Sequence, residues 1–155
     1  MEESGGLLDG IHAVTHPESY SICRHLADRV FTTLPDTRRA QSLWPSVQTH
    51  FHLIVNRETL IHRDVMGPGR SFDMLLTMGT YGRKAIMELW NLGVSVPYDP
   101  GSMVVLAARI ISHGVPRVPP DRICYAMYQN EGVFRWFGVQ GPSRFPSVHD
   151  RRRGQ

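Results

Sequence analysis

The sequence predicts an α+β protein, mainly β, in which a double-stranded β-helix, or jelly roll, has an N-terminal helix packed outside its core. A helical apolar pattern precedes Pro35, and short apolar runs separated by turn residues follow Thr49. The runs after Thr49 number about eight, which is the strand number of a jelly roll. At 155 residues the chain is long enough for one domain with a substantial core.

The segment before the strands predicts one long helix, followed at residues 37–44 by a short helix or a loop. Residues 1–10 are rich in Gly and Glu, and we expect them to form a flexible N-terminus. Pro17 to Thr33 reads as an amphipathic helix whose first residue suits a helical first turn. Its apolar face carries Ile22, Leu26 and Val30. Pro35 and Asp36 end this pattern.

The predicted jelly-roll core covers residues 49 to about 130, as turn-punctuated spacing of short strands indicates. The predicted strands are 50–56, 59–62, 72–78, 84–89, 93–98, 102–107, 109–115 and 122–128. We expect one domain over residues 11–142, followed by a basic tail at 143–155 that ends in three consecutive arginines.

Composition limits the classes of function. The net charge of +3 and the pI near 9.2 permit a polyanionic partner without requiring one. Two distant cysteines, Cys23 and Cys124, predict neither a disulfide framework nor a structural zinc site. No apolar run approaches the ~18–20 residues that cross a membrane, so we expect no membrane partner. The acidic N-terminus lacks the basic region of a signal peptide, and we expect a reducing compartment, the nucleus or the cytosol.

His62, Asp64 and the distant His113 have the composition of a metal site. Two imidazoles and one carboxylate on one face of an ion form the triad that holds non-haem Fe(II) and leaves positions open. An isolated His-x-Asp carries little information, since most are surface pairs or turn caps. The placement of all three along the predicted strands therefore carries the prediction that they are metal ligands and catalytic residues. His50 and His52 alternate on the first strand, but no third ligand is fixed near them.

Arg122 opens the last predicted strand and shares one face of it with Cys124. A guanidinium that points into a barrel needs an anionic partner, and the distal carboxylate of 2-oxoglutarate provides one in a bidentate contact. Cys124 is small enough to let that ligand pass, and we expect Asn56 to add a hydrogen bond to it. Pairing of Arg122 with Asp121 remains the alternative. The rival anchors for the cosubstrate are Arg109 and Arg117.

Five segments, in this order, match the pattern of a known family. They are Val55-Asn56-x-x-Thr59-x-Ile61-His62-x-Asp64, Phe72-Asp73-x-Leu75-Leu76-Thr77-x-Gly79, Tyr98-x-Pro100-Gly101, His113-Gly114-Val115 and Asp121-Arg122-x-Cys124-Tyr125-Ala126. From residue 53 to about 142 the chain resembles the TET/JBP family of 2-oxoglutarate oxygenases, most closely its short fungal, transposon-associated members.

This resemblance implies an Fe(II)- and 2-oxoglutarate-dependent dioxygenase. The implied reaction oxidises 5-methylcytosine in DNA to 5-hydroxymethylcytosine and beyond. The resemblance carries over His62, Asp64 and His113 as iron ligands and Arg122 as the anchor of 2-oxoglutarate. The Cys-rich zinc region of the animal members has no counterpart in this sequence.

A methyl group on a duplex base reaches a buried iron only when the nucleotide flips out of the helix. We expect Arg63 and Arg70 to contact phosphates, and Asp73 to accept a hydrogen bond from the cytosine N4 amino group. Phe72 is a candidate for stacking on the base. The alternatives are solvated surface charges for the arginines and core packing for Phe72.

Other functions stay open at this point, among them hydroxylation of a small molecule or a protein. A related oxygenase could demethylate another base, such as N6-methyladenine or an alkylated base in DNA or RNA, with release of formaldehyde. From a different class, an inactive jelly-roll module could bind nucleic acid or protein. We expect methylated DNA as the partner and a monomeric protein.

Overall fold

The computed structural model describes residues 2–43, 46–118 and 120–142. The chain divides into two compact units. The first takes its described residues from Met1–Val47, Pro68–Ser71 and Asn130–Gln155, and the second comprises Gln48–Gly67 and Phe72–Gln129. The predicted basic tail at 143–155 lies outside the described residues, and the single domain at 11–142 stays a prediction.

The first unit is helical. Its elements are α1 (Glu2–Thr15), α2 (Pro17–Thr33), a 3-10 turn at Pro35–Thr37, α3 (Arg38–Leu43) and α4 (Glu131–Trp136). Helix α2 has the bounds that the sequence predicts. Residues 2–10, which the sequence predicts as part of a flexible N-terminus, form the first part of α1. Leu8 and His12 lie about one turn apart and are both buried, so tertiary packing of this face overrides the weak helix propensity of the glycines.

A core cluster of this unit joins α2 to α4. Cys23 and Leu26 of α2 are buried together with Val47 and with Phe134 of α4. The side chain of Asn130 accepts a hydrogen bond from the Gly132 N–H and thereby caps the short α4. None of the described helices is long and apolar enough to cross a membrane.

His12 is buried between α1 and α2. Its Nε2 lies 3.2 Å from the Ser19 hydroxyl, and its ring meets the edge of Tyr20 at a centroid distance of 5.7 Å. Burial, followed by the charge of His16, lowers the pKa of His12 to about 4. Folding therefore favours the neutral imidazole.

We expect the stability of the protein to fall as the pH decreases from about 6.5 to about 4, because the unfolded chain protonates His12 in this window and the folded chain does not. The contribution of His12 is at most about 1.4 kcal/mol per pH unit. Chemical denaturation of the wild type and of His12→Gln across this pH range measures the contribution of His12 to the free energy of unfolding. Glutamine retains a hydrogen-bonding group for Ser19. The difference between the two curves should change across this pH window; parallel curves would contradict the assignment.

The described residues of the second unit form eight strands in two antiparallel sheets, which confirms the predicted α+β jelly-roll class. The strands are β1 (His50–Val55), β2 (Thr59–His62), β3 (Asp73–Gly79), β4 (Ile86–Leu89), β5 (Val94–Pro97), β6 (Met103–Leu106), β7 (His113–Val115) and β8 (Arg122–Tyr128), with a 3-10 turn at Trp90–Leu92. The first sheet has the order β1-β8-β3-β6, and the second has the order β2-β7-β4-β5.

The core of this unit lies between its two sheets. Leu75 and Cys124 come from the first sheet, Met87 and Val115 come from the second, and all four belong to one buried cluster. We call the face of the first sheet that carries Leu75 and Cys124 the inner face. Because strand side chains alternate, this face also carries every second residue of β1, β3 and β8. On these three strands the remaining side chains of the inner face are those of His50, His52, Ile54, Asp73, Thr77, Arg122, Ala126 and Tyr128.

Candidate iron site and cosubstrate site

Strands β2 and β7 bring two imidazoles and a carboxylate together. His62 ends β2 and pairs with His113 at the start of β7, with ring centroids 4.5 Å apart. Asp64 follows β2 and places Oδ1 3.4 Å from the His62 Nε2 and Oδ2 3.8 Å from the His113 Nε2. One ligand atom from each residue lies within 4.8 Å of the other two. This donor set fits one metal ion of the non-haem iron class.

Backbone contacts fix the orientation of both imidazoles. The His62 Nδ1 lies 2.9 Å from the Leu60 carbonyl, and the His113 Nδ1 lies 3.0 Å from the Ile111 carbonyl. A carbonyl only accepts, so each Nδ1 must be the protonated donor nitrogen. Each Nε2 then presents its lone pair towards Asp64, which is the arrangement that a metal ligand requires.

The two sides of the triad differ in their exposure. His113 is buried, whereas the side chains of His62 and Asp64 are 40% and 45% exposed. Burial lowers the pKa of His113, which favours the neutral, metal-binding form of the ring. A site that is buried on one side and open on the other can hold an ion and still admit a substrate.

Asp73, which the sequence predicts as an acceptor for the cytosine N4 amino group, is a neighbour of the triad. Its contact with Asp64 was not predicted, and its contact with the base stays a prediction. It is buried at the start of β3, and its carboxyl hydrogen-bonds with that of Asp64. Burial, then the charge of Asp64 and this hydrogen bond, raises the pKa of Asp73 to about 8. Two carboxyl groups can share a hydrogen bond only if one is protonated, so the neutral Asp73 is placed to orient the Asp64 carboxylate.

Arg122 is buried on the inner face, with only 2% of its surface exposed. Its Nη1 donates to the Arg57 carbonyl at 3.2 Å, and its guanidinium lies 5.4 Å from the centre of the Tyr98 ring. Its Nε is buried without a hydrogen-bond partner. No ion pair joins Arg122 to a carboxylate within the described ranges, so the alternative of pairing with Asp121 finds no support. A buried, unpaired guanidinium nitrogen fits an anionic cosubstrate.

The rival anchors occupy other positions. Arg109 donates to the Gly67 carbonyl, and Arg117 is exposed after β7. Neither of them lies on the inner face of the first sheet. The predicted role of Arg122 as the anchor stays a prediction, but its burial distinguishes it from both rivals.

Asn56 is hydrogen-bonded to the backbone of Arg122, and Cys124 follows Arg122 by two residues on β8. Asn56 adopts a φ of 49°, its N–H donates to the Arg122 carbonyl, and its Oδ1 accepts from the Arg122 N–H, both at 2.8 Å. Asn56 therefore holds the start of β8 in place. Cys124 is buried with its Sγ 3.3 Å from the Tyr98 hydroxyl. A contact of either side chain with the cosubstrate stays a prediction.

His52, His50 and Tyr128 form a polar group at one end of the inner face. The Tyr128 hydroxyl lies 3.0 Å from the His52 Nε2, and the His50 ring stacks on the Tyr128 ring at 5.2 Å. Burial and then the charges of Asp64 and Asp73 raise the pKa of Tyr128, so this group lies within electrostatic reach of the triad. Their alternation in the sequence already indicated that the two histidines share one face of the strand.

The residues predicted to contact the substrate are only partly brought to the site. Arg63 lies between His62 and Asp64 in the sequence and is exposed. Phe72 is half-buried just before β3. Arg70 belongs to the first compact unit, so its predicted phosphate contact stays a prediction.

Comparison with known families identifies the class of this chain. The family model Tet_JBP, described as the oxygenase domain of the 2OGFeDO superfamily, matches residues 1–131. The chain belongs to this family. Members of the superfamily use Fe(II) and 2-oxoglutarate, and the resemblance that the sequence motifs indicated is thereby confirmed. The protein is an oxygenase domain with a candidate metal site of two histidines and one aspartate.

The solved structures that are similar to this chain include NgTET1 and a cupin barrel protein. The structure of NgTET1 in complex with 5mC DNA has 14% sequence identity and a TM-score of 0.48, and the match covers 85% of this chain and 50% of that one. A Cupin 2 conserved barrel domain protein from Salinispora arenicola CNS-205 has 14% identity and a TM-score of 0.35, with coverages of 57% and 82%. This chain thus spans half the length of the NgTET1 chain. No curated protein gives a sequence match.

Proposed function

We propose that this protein is a dioxygenase that oxidises 5-methylcytosine in DNA to 5-hydroxymethylcytosine and further, with the target base flipped out of the helix. One observation carries the proposal: in a chain of the Tet_JBP family, the ligand atoms of His62, Asp64 and His113 lie within 4.8 Å of one another. The substrate rests on the TET/JBP motifs of the sequence, and base flipping follows from the inaccessibility of a methyl group in a duplex.

His62, Asp64 and His113 are the proposed ligands of Fe(II), and Arg122 is the proposed partner of the 2-oxoglutarate carboxylate. When bound, Fe(II) and 2-oxoglutarate let one oxygen atom of O2 enter the methyl C–H bond and the other enter the cosubstrate, which leaves as succinate and CO2. The carbonyls of Leu60 and Ile111 hold the two imidazoles in their ligating tautomer.

The chain also supplies groups that can hold a base beside the triad. Tyr128 and His52 offer a hydroxyl and an imidazole at the end of the inner face. Asp73, in its neutral form, offers a carboxyl that can both donate and accept. The exposed Arg63 is the proposed phosphate contact, since cations near the site neutralise the backbone without reading its sequence.

Nucleoside mass spectrometry tests this function. The protein is incubated with Fe(II), 2-oxoglutarate and O2 on a duplex that carries both 5-methylcytosine and N6-methyladenine. We expect 5-hydroxymethylcytosine to appear while succinate forms in at least equal amount. Reactions without Fe(II), and reactions with His113→Ala, are the controls for turnover at the triad.

The other results identify the alternatives. Loss of N6-methyladenine with release of formaldehyde would replace the proposed reaction by demethylation of adenine. Succinate formation without any change of either base would mean an oxygenase whose substrate is not this DNA. If neither succinate nor product forms with the intact triad, the protein is an inactive binding module.

A further inference from the structure

Two large apolar side chains project into solvent directly after the metal ligand Asp64. Val65 and Met66 form the turn that follows this aspartate, and they are 61% and 65% exposed. Single exposed apolar residues are common on protein surfaces and require no explanation. Here, two such residues are consecutive, and the Cα atom of Met66 must lie within about 7.6 Å of that of Asp64.

The turn is held at both ends by the loop that follows β6. The Asp64 N–H donates to the Ala108 carbonyl at 3.0 Å, and the guanidinium of Arg109 donates to the Gly67 carbonyl. The same loop exposes a third apolar residue, Ile110, at 45%. We call Val65, Met66 and Ile110 the apolar rim. It is a fixed feature, since its two loops are tied together on both sides of the exposed pair.

We propose that the apolar rim enters the base stack of duplex DNA beside the flipped nucleotide and stabilises the extruded state. Extruding a base breaks its stacking on both neighbours, and proteins that distort DNA in this way commonly insert Met, Leu or Ile side chains between base steps. Side chains that remain exposed in the free protein lose their contact with water only when such a partner covers them. This proposal rests on the proposed function.

A cation close to the rim in the sequence favours nucleic acid over an apolar protein partner. Arg63 is exposed and lies one residue before Asp64, two residues before the exposed pair begins. Neighbouring DNA phosphates can pair with this cation while the bases cover Val65 and Met66. An apolar protein partner would instead leave Arg63 without an anion at the edge of the contact.

The double variant Val65→Ala/Met66→Ala tests the proposal. Its kcat/KM is compared with that of the wild type on two duplexes, one with 5-methylcytosine paired to guanine and one with 5-methylcytosine opposite an abasic site. We expect a loss of about tenfold or more on the paired duplex and a clearly smaller loss on the other, since a base without a partner is extruded more easily. Leu53→Ala is the matched control, because Leu53 is an apolar residue of similar exposure, 55%. It lies on the face of β1 that is opposite to the inner face.

A second readout does not depend on turnover. With Fe(II) and 2-oxoglutarate but without O2, a 2-aminopurine next to the methylated base should gain fluorescence on binding of the wild type and of Leu53→Ala, and much less on binding of the double variant. Equal losses on both duplexes, or an undiminished fluorescence change in the double variant, would overturn the role of the rim and leave the proposed function standing. Inactivity of the wild type on both duplexes would overturn both proposals.

Discussion

Replacing Asp64 with alanine is expected to abolish turnover of 2-oxoglutarate while the protein stays folded. The Asp64 carboxylate lies between the two imidazoles, at 3.4 Å and 3.8 Å. Loss of a group that merely orients a metal ligand costs about 10- to 100-fold, so loss of the ligand itself should cost more than about a hundredfold. The fold should survive, because this side chain is half-exposed and its backbone N–H still donates to the Ala108 carbonyl.

Two measurements on Asp64→Ala separate chemistry from folding. Succinate formation at saturating 2-oxoglutarate and the amount of Fe(II) that stays bound through gel filtration should both collapse, while the thermal melting temperature stays close to that of the wild type. Asp99→Ala is a matched control, since Asp99 is a partly exposed aspartate of the same unit that pairs only weakly with the exposed Arg83. An Asp64→Ala protein that retains iron and forms succinate at the wild-type rate would show that the metal assignment is wrong.

The positions of the strands along the chain and the candidate metal ligands could be predicted because both depend on local patterns. Short apolar runs, some of them alternating with polar residues, mark the strands, and turn residues such as Pro100 and Gly101 separate them. The spacing of His62 and Asp64 places both side chains at the end of one strand, where a single residue between them keeps them on one side. The structure adds the pairing of His62 with His113, which brings the third ligand to the other two.

The contacts around the triad depend on register between distant strands, which no local pattern specifies. Asp73 meets Asp64 only because β3 starts beside the loop that follows β2. His52 meets Tyr128 because β1 and β8 pair in one particular register, in which His52 lies opposite Ala126. A shift of that register by one residue would move His52 to the opposite face of the sheet.

The helix at residues 2–10 was not predicted from the sequence. Gly and Glu at the terminus indicate flexibility when they are considered alone, since glycine disfavours a helix by about 1 kcal/mol relative to alanine. The structure nevertheless forms α1, in which Leu8 and His12 are both buried. Burial of an amphipathic face outweighs local propensity there, and the partner that buries it cannot be deduced from these ten residues.

Replacing Arg122 with methionine is expected to raise the requirement for 2-oxoglutarate by about a hundredfold without destabilising the free protein. A charge-assisted hydrogen bond contributes about 2–3 kcal/mol, which corresponds to that change in affinity. Methionine retains most of the packing volume against the Tyr98 ring, and the Arg122 backbone N–H that donates to Asn56 is unaffected. In the free protein the Arg122 Nε is buried without a partner, so removal of the charge should leave the melting temperature equal or higher.

This pair of effects distinguishes a cosubstrate anchor from a structural arginine. Titration of 2-oxoglutarate against succinate formation gives the KM, and melting curves with and without 2-oxoglutarate give the stability of each state. An anchor raises the KM and removes the stabilisation by the cosubstrate, whereas a structural arginine lowers the melting temperature of the free protein. Arg109→Met is the comparison variant, since Arg109 lies in a loop and donates to the Gly67 carbonyl. If Arg109→Met raises the KM and Arg122→Met does not, the carboxylate binds at Arg109, and the buried guanidinium of Arg122 requires another anion.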